Sequence, residues 1–559
     1  MNNLQAVFEF LYKNQEDRHN INQLAKLVNI SVGSAFKILK NLKNGNYVEV
    51  IYEKNSTYYK IKLSDKSREF YYQIMMDINQ GEKKKTKIVG TIGPASNNPK
   101  IVRRLIDNGL DCIRINASHC DENSALQLIN TIRKTSSEIP IILDIPGPKI
   151  RLNNLSKSLE IKSGDIIKFK FKKSGDDSLL LDTPLHKFVS KGHRILVDDG
   201  KIELRVLGSS KSSISCQVLN NGILTKSKGL NFPDSFVDYG DMSENDKFWI
   251  KFAMKNDIDF IGTSFVRSQS DIKKLNRVLG YDSLKEVVGG KIKVIAKIET
   301  KEAIKNYKEI ISEAYGIMID RGDLASETRF EIIPRLQKII IEECNRQGKP
   351  VIIATQMLDS MVSNPQPTKA EISDIANSVL DGASCLMLSA ETAAGKYPLD
   401  AVKTMSKVIR EVEGEIVKKN FSPDRNVTFT DCIVNAISEI DKMLRMDAIL
   451  VITSGGYTAR MLASKKLRPR IIAITNKEKV FRQMHILWGI TPMKIAADLE
   501  DITNREKAAA ITEAIKKGFI TKTSLIILTG SVFHFKSKRT NMIEMHKVNE
   551  FLDFVKSNG

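Results

Sequence analysis

Apolar residues recur with two different periods along this 559-residue chain. Up to about residue 42 the spacing is helical. Leu4, Val7, Phe8 and Leu11 share one face, Ile21, Leu24, Ala25 and Val28 another, and a third pattern runs from Ser34 to Leu42. YVEVIY and TYYKIKL then alternate as strands do, separated by the turn-like Glu53, Lys54, Asn55 and Ser56. Asp65 to Gln80 reads as a linker helix that runs into the charged GEKKK. From Thr86 onward short apolar runs alternate with helical stretches, which predicts parallel strands joined by helices. Eight strands are expected: 87–92, 111–116, 140–144, 258–264, 293–299, 316–320, 351–355 and 385–389. The gap from Asp144 to Ile258 is too long for one helix. It holds strand-like DIIKFKF, RILVDDGKIELRV and SISCQVL, so a small all-β domain is inserted there. Eight βα units predict an α/β fold, a closed (β/α)8 barrel with its active site at the C-terminal strand ends. The expected domains are 1–80, a barrel from 85–152 and 238–415, an inserted β lid at 153–237, and a C-terminal α/β domain at 425–559.

Charge and composition narrow the class. The net charge of +20 suits anionic partners, phosphorylated metabolites or nucleic acid. The six cysteines show no CxxC spacing, and Glu9, Glu16 and Asp17 interrupt the N-terminus where a signal peptide needs an apolar core. A cytoplasmic protein without membrane spans is expected, since no uncharged apolar run reaches about 18 residues. The first 64 residues resemble a winged helix-turn-helix, with Lys37, Lys40 and Lys43 on the recognition helix and the hairpin as wing. Residues 1–85 carry 14 basic against 9 acidic side chains, a net +5, so this module is not unusually basic for the chain. DNA binding and a docking or dimerisation role both remain open for this module.

The strand ends carry the chemistry. Val294, Ile295, Ala296 and Ile298 form a buried strand that Lys297 and Glu299 interrupt. Side chains two apart on a strand share a face, so an ammonium and a carboxylate meet near its end, where desolvating either alone is costly. The other ends bring Thr91, Arg114, Asn116, Asp144, Ser264, Arg267, Arg321, Asp323, Thr355, Gln356, Ser389 and Glu391 to the same mouth. Glu299 and Asp323 end successive strands, a pair suited to Mg²⁺, which takes one or two carboxylates plus phosphate oxygens. Lys297 and Arg114 then offer positive charge to a phosphoryl group in transfer.

The motifs TKIVGTIGPAS, RINASH, GPKIR, VDDG, KGLNFP, AKIET, RGDL, GKPVIIATQML and LSAETAAGKYP, in this order, closely resemble the pyruvate kinase family over residues 85–559. The resemblance implies phosphoryl transfer from phosphoenolpyruvate to ADP, giving pyruvate and ATP, with Mg²⁺ as cofactor and Mn²⁺ able to substitute. It implies that Arg114 and Lys297 contact the phosphoryl group, that Glu299 and Asp323 hold Mg²⁺, and that Gly322, Asp323 and Thr355 receive the substrate carboxylate. It assigns Asn116, His119, Arg151 and Lys228 to the nucleotide side. Asn116, Ser118, Asp144 and the carbonyl of Ile145 match the family's monovalent-cation site. The inserted domain becomes a lid, and a homotetramer is expected.

Departures from the family pattern are also legible. Lys149 of GPKIR stands where K⁺-dependent members have Glu, and Ile145 where they offer Thr, so K⁺ is not expected to be required. A tethered ammonium can supply the charge that K⁺ otherwise brings. Asp320 stands where the family usually has Ala, Ala325 and Ala390 where it has Gly, Ala117 for Phe and Cys120 for Gly. None removes a catalytic group, but Asp320 adds a carboxylate that could repel the metal loop's charges or misdirect Arg321. The rival reading is a transcription regulator whose kinase-derived part senses a metabolite; the retained Lys297, Glu299, Asp323 and Thr355 favour catalysis.

Overall fold

A computed structural model describes residues 3–53, 56–64, 66–68, 70, 84–152, 155, 157–171, 179–181, 184–198, 200–226, 228–235, 237, 242–281, 291–415, 428–496, 503–531 and 540–558. The chain divides into two compact units, 1–84 and 85–559.

In the first unit the expected elements form. Helices α1 (Asn3–Lys13), α2 (Ile21–Leu27) and α3 (Val32–Asn44) are followed by strands Val48–Glu53 and Ser56–Ile61. A short strand at His19–Asn20, not legible in the pattern, adds to Ser56–Ile61, so that strand is central in a three-stranded sheet. Local chemistry sets the helix starts. Asn20 and Gln23 exchange side-chain and backbone bonds at 2.9 Å, and Ser31 Oγ accepts the Ser34 N–H at 3.1 Å. Val7, Phe8, Leu11, Leu24, Leu39, Leu42, Val48 and Ile61 close the core. The linker helix expected over 65–80 lies outside the described residues, apart from 66–68 and 70.

In the second unit the eight expected strands close into one parallel barrel: Lys87–Thr91, Cys112–Asn116, Ile141–Ile145, Phe260–Thr263, Lys293–Ile298, Gly316–Asp320, Val351–Ala354 and Cys385–Leu388. They are counted below as barrel strands one to eight. Alternation sorts their side chains. Val89, Cys112, Ile142, Phe260, Ile295, Met318, Ile352 and Met387 fill the interior, while Ile113, Leu143, Ile261, Ile298, Ile319 and Ile353 pack outward in the helix-lined core. Each such fully buried aliphatic side chain contributes about 1.5–3 kcal/mol. The same period of two puts Arg114 above Cys112, Asp144 above Ile142, Lys297 and Glu299 above Ile295, and Asp320 above Met318. These strand-borne charges of the mouth therefore stand on a floor of apolar side chains.

Between barrel strands three and four lies a largely antiparallel six-stranded sheet, which includes Ile166–Lys170, Arg194–Val197, Ile202–Ser209 and Ser213–Val218 and has its own core around Phe169, Leu204 and Val206. The last part holds a five-stranded sheet, in spatial order Ile490–Lys494, Arg470–Thr475, Ala448–Ile452, Leu525–Gly530 and Met542–Lys547, of which only the final strand is antiparallel. Among the described residues no helix is long and apolar enough to cross a membrane.

Candidate active site

Barrel strands two, three, five and six deliver the central charges. Lys297 Nζ lies 3.1 Å from Glu299 Oε2, 3.1 Å from Asp320 Oδ2 and 3.7 Å from Asp144 Oδ2. The shared face read from the sequence is thus real, and the ammonium sits among three carboxylates. Burial by itself would lower the Lys297 pKa, but Asp144, Glu299, Asp320 and Asp323 hold it well above the ordinary lysine value. Arg114 clamps Asp144 Oδ2 with Nε at 2.8 Å and Nη2 at 2.6 Å, and its Nη1 donates to Thr91 Oγ1 at 3.0 Å. Space for this is made by Gly262 on barrel strand four, where a Cβ would stand 3.1 Å from Asp144 Oδ1.

Glu299 is fully buried. Its Oε1 accepts the Phe265 N–H at 2.6 Å, whereas Oε2 accepts no well-directed hydrogen bond among the described residues. Burial, opposed by Lys297 and reinforced by Asp323 and Asp320, pushes Glu299 up to about 8. Asp323 is raised by burial and by Asp320. Burial also works against the charge on Asp320, yet Lys297 keeps its pKa below the ordinary value. One oxygen each from Glu299, Asp320 and Asp323 falls within 4.8 Å of the others. Hard oxygen donors, one of them a buried carboxylate oxygen lacking a donor, fit a small divalent cation held by Glu299 and Asp323.

Thr355 follows barrel strand seven with φ +66°, and Gln356 with φ +54°. A β-branched residue in the left-handed region is strained, a condition found where function fixes a side chain. Its hydroxyl accepts the Gly322 N–H at 2.9 Å and lies 3.3 Å from Asp320 Oδ1. Gly322 and Asp323 occupy the first turn of the short helix Arg321–Glu327, so the RGDL motif and Thr355 form one wall.

The nucleotide-side residues are more open. Asn116 Oδ1 accepts the Ser118 N–H at 3.1 Å, and Ser118 and His119 are exposed. Partial desolvation, Arg151 and Arg114 lower the His119 pKa. Arg151 pairs with Gly229 as an isolated antiparallel bridge, joining the two chain segments that lead to the inserted sheet. Lys228 donates to Asp198 Oδ1 at 2.7 Å. A pocket of about 440 Å³ adjoins these residues, lined by Ser118, Asp121, Pro146, Arg151, Phe248 and Trp249 among others. Sequence reasoning missed its aromatic wall, whose signal was the ENDKFWIKF stretch.

Lys149 is not a solvated loop charge. Its side chain is 9% exposed, its Nζ contacts Asp323 Oδ1 at 2.5 Å, and its stem fills the space where a Cβ at Gly229 would stand. Ile145, at the end of barrel strand three, is buried, and Asp144 Oδ1 accepts no hydrogen bond among the described residues.

The ring of mouth charges needs correction at two places. Arg321 turns away to Asp374 at 2.8 Å and to the carbonyls of Thr355 and Gln356 at 2.7 and 3.3 Å, so it braces the strained turn. This pairing also shows that Asp320 does not misdirect it. Glu391 accepts the N–H groups of Leu358 and Ser389 at 3.1 and 2.7 Å, and so closes loop backbone.

Comparison with known proteins gives the chain a family. The family model described as pyruvate kinase, barrel domain, matches residues 83–402, and that described as pyruvate kinase, alpha/beta domain, matches residues 431–546. A pyruvate kinase of Sporosarcina psychrophila is 35% identical over 485 residues and one of Geobacillus stearothermophilus is 36% identical over 485. One of Staphylococcus aureus is 37% identical over 483. Each alignment covers 84% of this chain and 81% of the relative. Family models over both the barrel and the C-terminal sheet, with relatives at this identity over most of the chain, establish that the chain belongs to the pyruvate kinase family.

Proposed function

We propose that the barrel mouth transfers the phosphoryl group of phosphoenolpyruvate to ADP, and that Lys297 and Arg114 are its phosphoryl contacts. The observation that supports this reading most is the buried ammonium of Lys297, ringed by carboxylates at the end of a strand. In the reaction the bond between phosphorus and the enol oxygen breaks, a β-phosphate oxygen of ADP bonds to phosphorus, and the enolate takes a proton at carbon to become pyruvate. Lys297 and Arg114 face the oxygens on which negative charge spreads during transfer. Glu299 and Asp323 would hold Mg²⁺, for which Mn²⁺ could substitute. Bound there, the cation supplies Lewis acidity toward phosphoryl oxygens. Gly322, Asp323 and Thr355 receive the substrate carboxylate, and the strained turn fixes the Thr355 hydroxyl before substrate arrives. Asn116, His119, Arg151 and Lys228 serve the nucleotide. The inserted sheet, 153–237, acts as the lid that excludes water.

Pyruvate kinases generally use K⁺ beside Mg²⁺. Here the oxygens of Asn116, Ser118, Asp144 and Ile145 are kept in part, while the Lys149 ammonium already stands at Asp323, so K⁺ is not required. We read the protein as a cytoplasmic homotetramer, a state that light scattering after gel filtration would check. A coupled assay of pyruvate formation from phosphoenolpyruvate and ADP tests the main reading; no turnover with Mg²⁺ present would end it.

The first 64 residues favour a second partner, duplex DNA. Three helices followed by a small sheet support the winged helix-turn-helix reading, and α3 exposes Lys37, Lys40 and Lys43 without one acidic residue. Anisotropy of a labelled mixed-sequence duplex should rise with added protein at low salt and fall steeply as salt increases. Silence at low salt would leave assembly as this module's role.

A further inference from the structure

We propose that Asp320 is a third carboxylate of the divalent-metal centre and makes metal occupancy a precondition for entry of the anionic substrate. This rests on the reading of Glu299 and Asp323 as metal ligands. Asp320 ends barrel strand six with 4% of its surface exposed, and its carboxylate stands within 4.8 Å of ligand oxygens of both. The neighbouring Glu299 Oε2, buried and without a directed hydrogen bond, has for a positive partner only the Lys297 ammonium at 3.1 Å, which it shares with Asp320 and Asp144. The two oxygens of Asp320 are not exhausted: Oδ2 meets Lys297 at 3.1 Å, Oδ1 meets the Thr355 hydroxyl at 3.3 Å, and the carboxylate also accepts the Asp323 N–H. Each carboxylate oxygen has two acceptor positions, so these contacts leave room for ligation.

The charges of the mouth explain why the third carboxylate matters. Asp144, Glu299, Asp320 and Asp323 face Arg114, Lys149 and Lys297. Arg114 is committed to Asp144 and Lys149 to Asp323, which leaves Lys297 between Glu299 and Asp320. With every carboxylate ionised, the state in which they ligate a metal, one negative charge is in surplus at the place that must receive a phosphoryl group and a carboxylate. With an uncharged residue at 320 the same groups would balance. A divalent cation seated against all three carboxylates reverses the sign of the pocket, and the interaction is strong because the groups are buried.

The full-length protein titrated with Mn²⁺ without substrate, with free Mn²⁺ followed by electron paramagnetic resonance, tests this. Asp320→Asn, nearly isosteric, and Asp320→Ala should each bind Mn²⁺ at least tenfold more weakly than the unmutated protein. A change under threefold in both would overturn the inference and leave Asp320 a counter-ion of Lys297. Glu299→Gln separates the two levels. If it leaves Mn²⁺ affinity intact, the metal reading itself fails; if it abolishes binding while Asp320→Asn does not weaken it, only the third ligand fails. Calorimetry with phosphoenolpyruvate in the absence of divalent ions supplies the other arm. Asp320→Ala should bind it at least tenfold more tightly than the unmutated protein, and equal affinities would refute the ordering.

Discussion

Two buried ionic clusters lie at opposite ends of the same barrel, and they are built differently. At the N-terminal end Asp259, fully buried, receives Arg133 Nη2 and the Ile141 N–H on Oδ2 at 2.8 and 2.9 Å, and Arg482 Nε on Oδ1 at 2.8 Å. Both oxygens are satisfied, and Arg482 comes from the C-terminal part of the chain, so the cluster fastens one sheet to another. At the C-terminal end Glu299 Oε2 and Asp144 Oδ1 lack directed donors, and one ammonium is shared among three carboxylates. Both clusters carry desolvation costs of similar kind. The Asp259 carboxylate has no oxygen left to offer a ligand, whereas the undersupplied cluster is chemically incomplete until charged molecules arrive.

The contrast can be broken most sharply at Lys297. Lys297→Met should lower kcat on the order of 10²–10³-fold, the loss associated with one transition-state charge donor, while the protein still folds and binds Mn²⁺; without the cation it should melt lower, because three buried carboxylates lose their ammonium. Near-normal kcat in the coupled assay would make the mouth cluster structural too. At the other end Arg482→Met should do the reverse, leaving kcat within about twofold while destabilising by about 3–5 kcal/mol, as expected when a buried pair loses one partner. Thermal and urea unfolding read this effect; an unshifted transition would show that the saturated cluster holds nothing together.

A third test sharpens the electrostatics of the mouth. With Mg²⁺ and only tetramethylammonium as monovalent cation the unmutated protein should keep nearly full activity, and Lys149→Glu should gain a K⁺ requirement of tenfold or more. Tenfold activation of the unmutated protein by K⁺ would rule out this part for Lys149. The smallest effect belongs to a pair outside both clusters. Arg194 binds Asp234 through two bonds of 2.9 Å in the inserted sheet and holds its carboxyl down to about 2, through hydrogen bonding offset in part by desolvation. A depressed carboxylate contributes stability that is complete above its unfolded value of about 4 and disappears as pH falls toward 2. The pair is well exposed, so screening limits it to under about 1 kcal/mol. Corrected for the intrinsic rate, hydrogen-exchange protection of the inserted sheet should fall less between pH 5 and 2.5 in Asp234→Asn than in the unmutated protein.

Much of the arrangement was legible because the barrel strands are buried on both faces and read as short apolar runs. Period two sufficed to put Lys297 beside Glu299. What stayed hidden depends on contacts between distant segments. That Asp320 reaches Lys297 is set by the pairing of Lys297 with Met318 across strands five and six. That Lys149 finds Asp323 depends on a loop crossing the mouth 174 residues earlier in the chain. Arg321 and Glu391 were placed correctly at strand ends, but their side chains serve backbone groups of the strained and turning loops, which no spacing rule reveals. His19–Asn20 is too short to leave a pattern.

The packing of Lys149 over Gly229 links ion dependence to a position that itself carries no side chain. A methyl group at 229 would meet Lys149 Cε at 2.3 Å, the end of a flexible chain and not backbone. The fold could absorb that intrusion by letting the stem swing aside, so the penalty would fall on where one positive charge rests. Positions 149 and 229 are therefore expected to vary together during divergence: a bulkier residue at the bridge beside Arg151 becomes admissible once the side chain at 149 is short or relies on a solvent ion, and glycine is retained wherever a lysine must reach across.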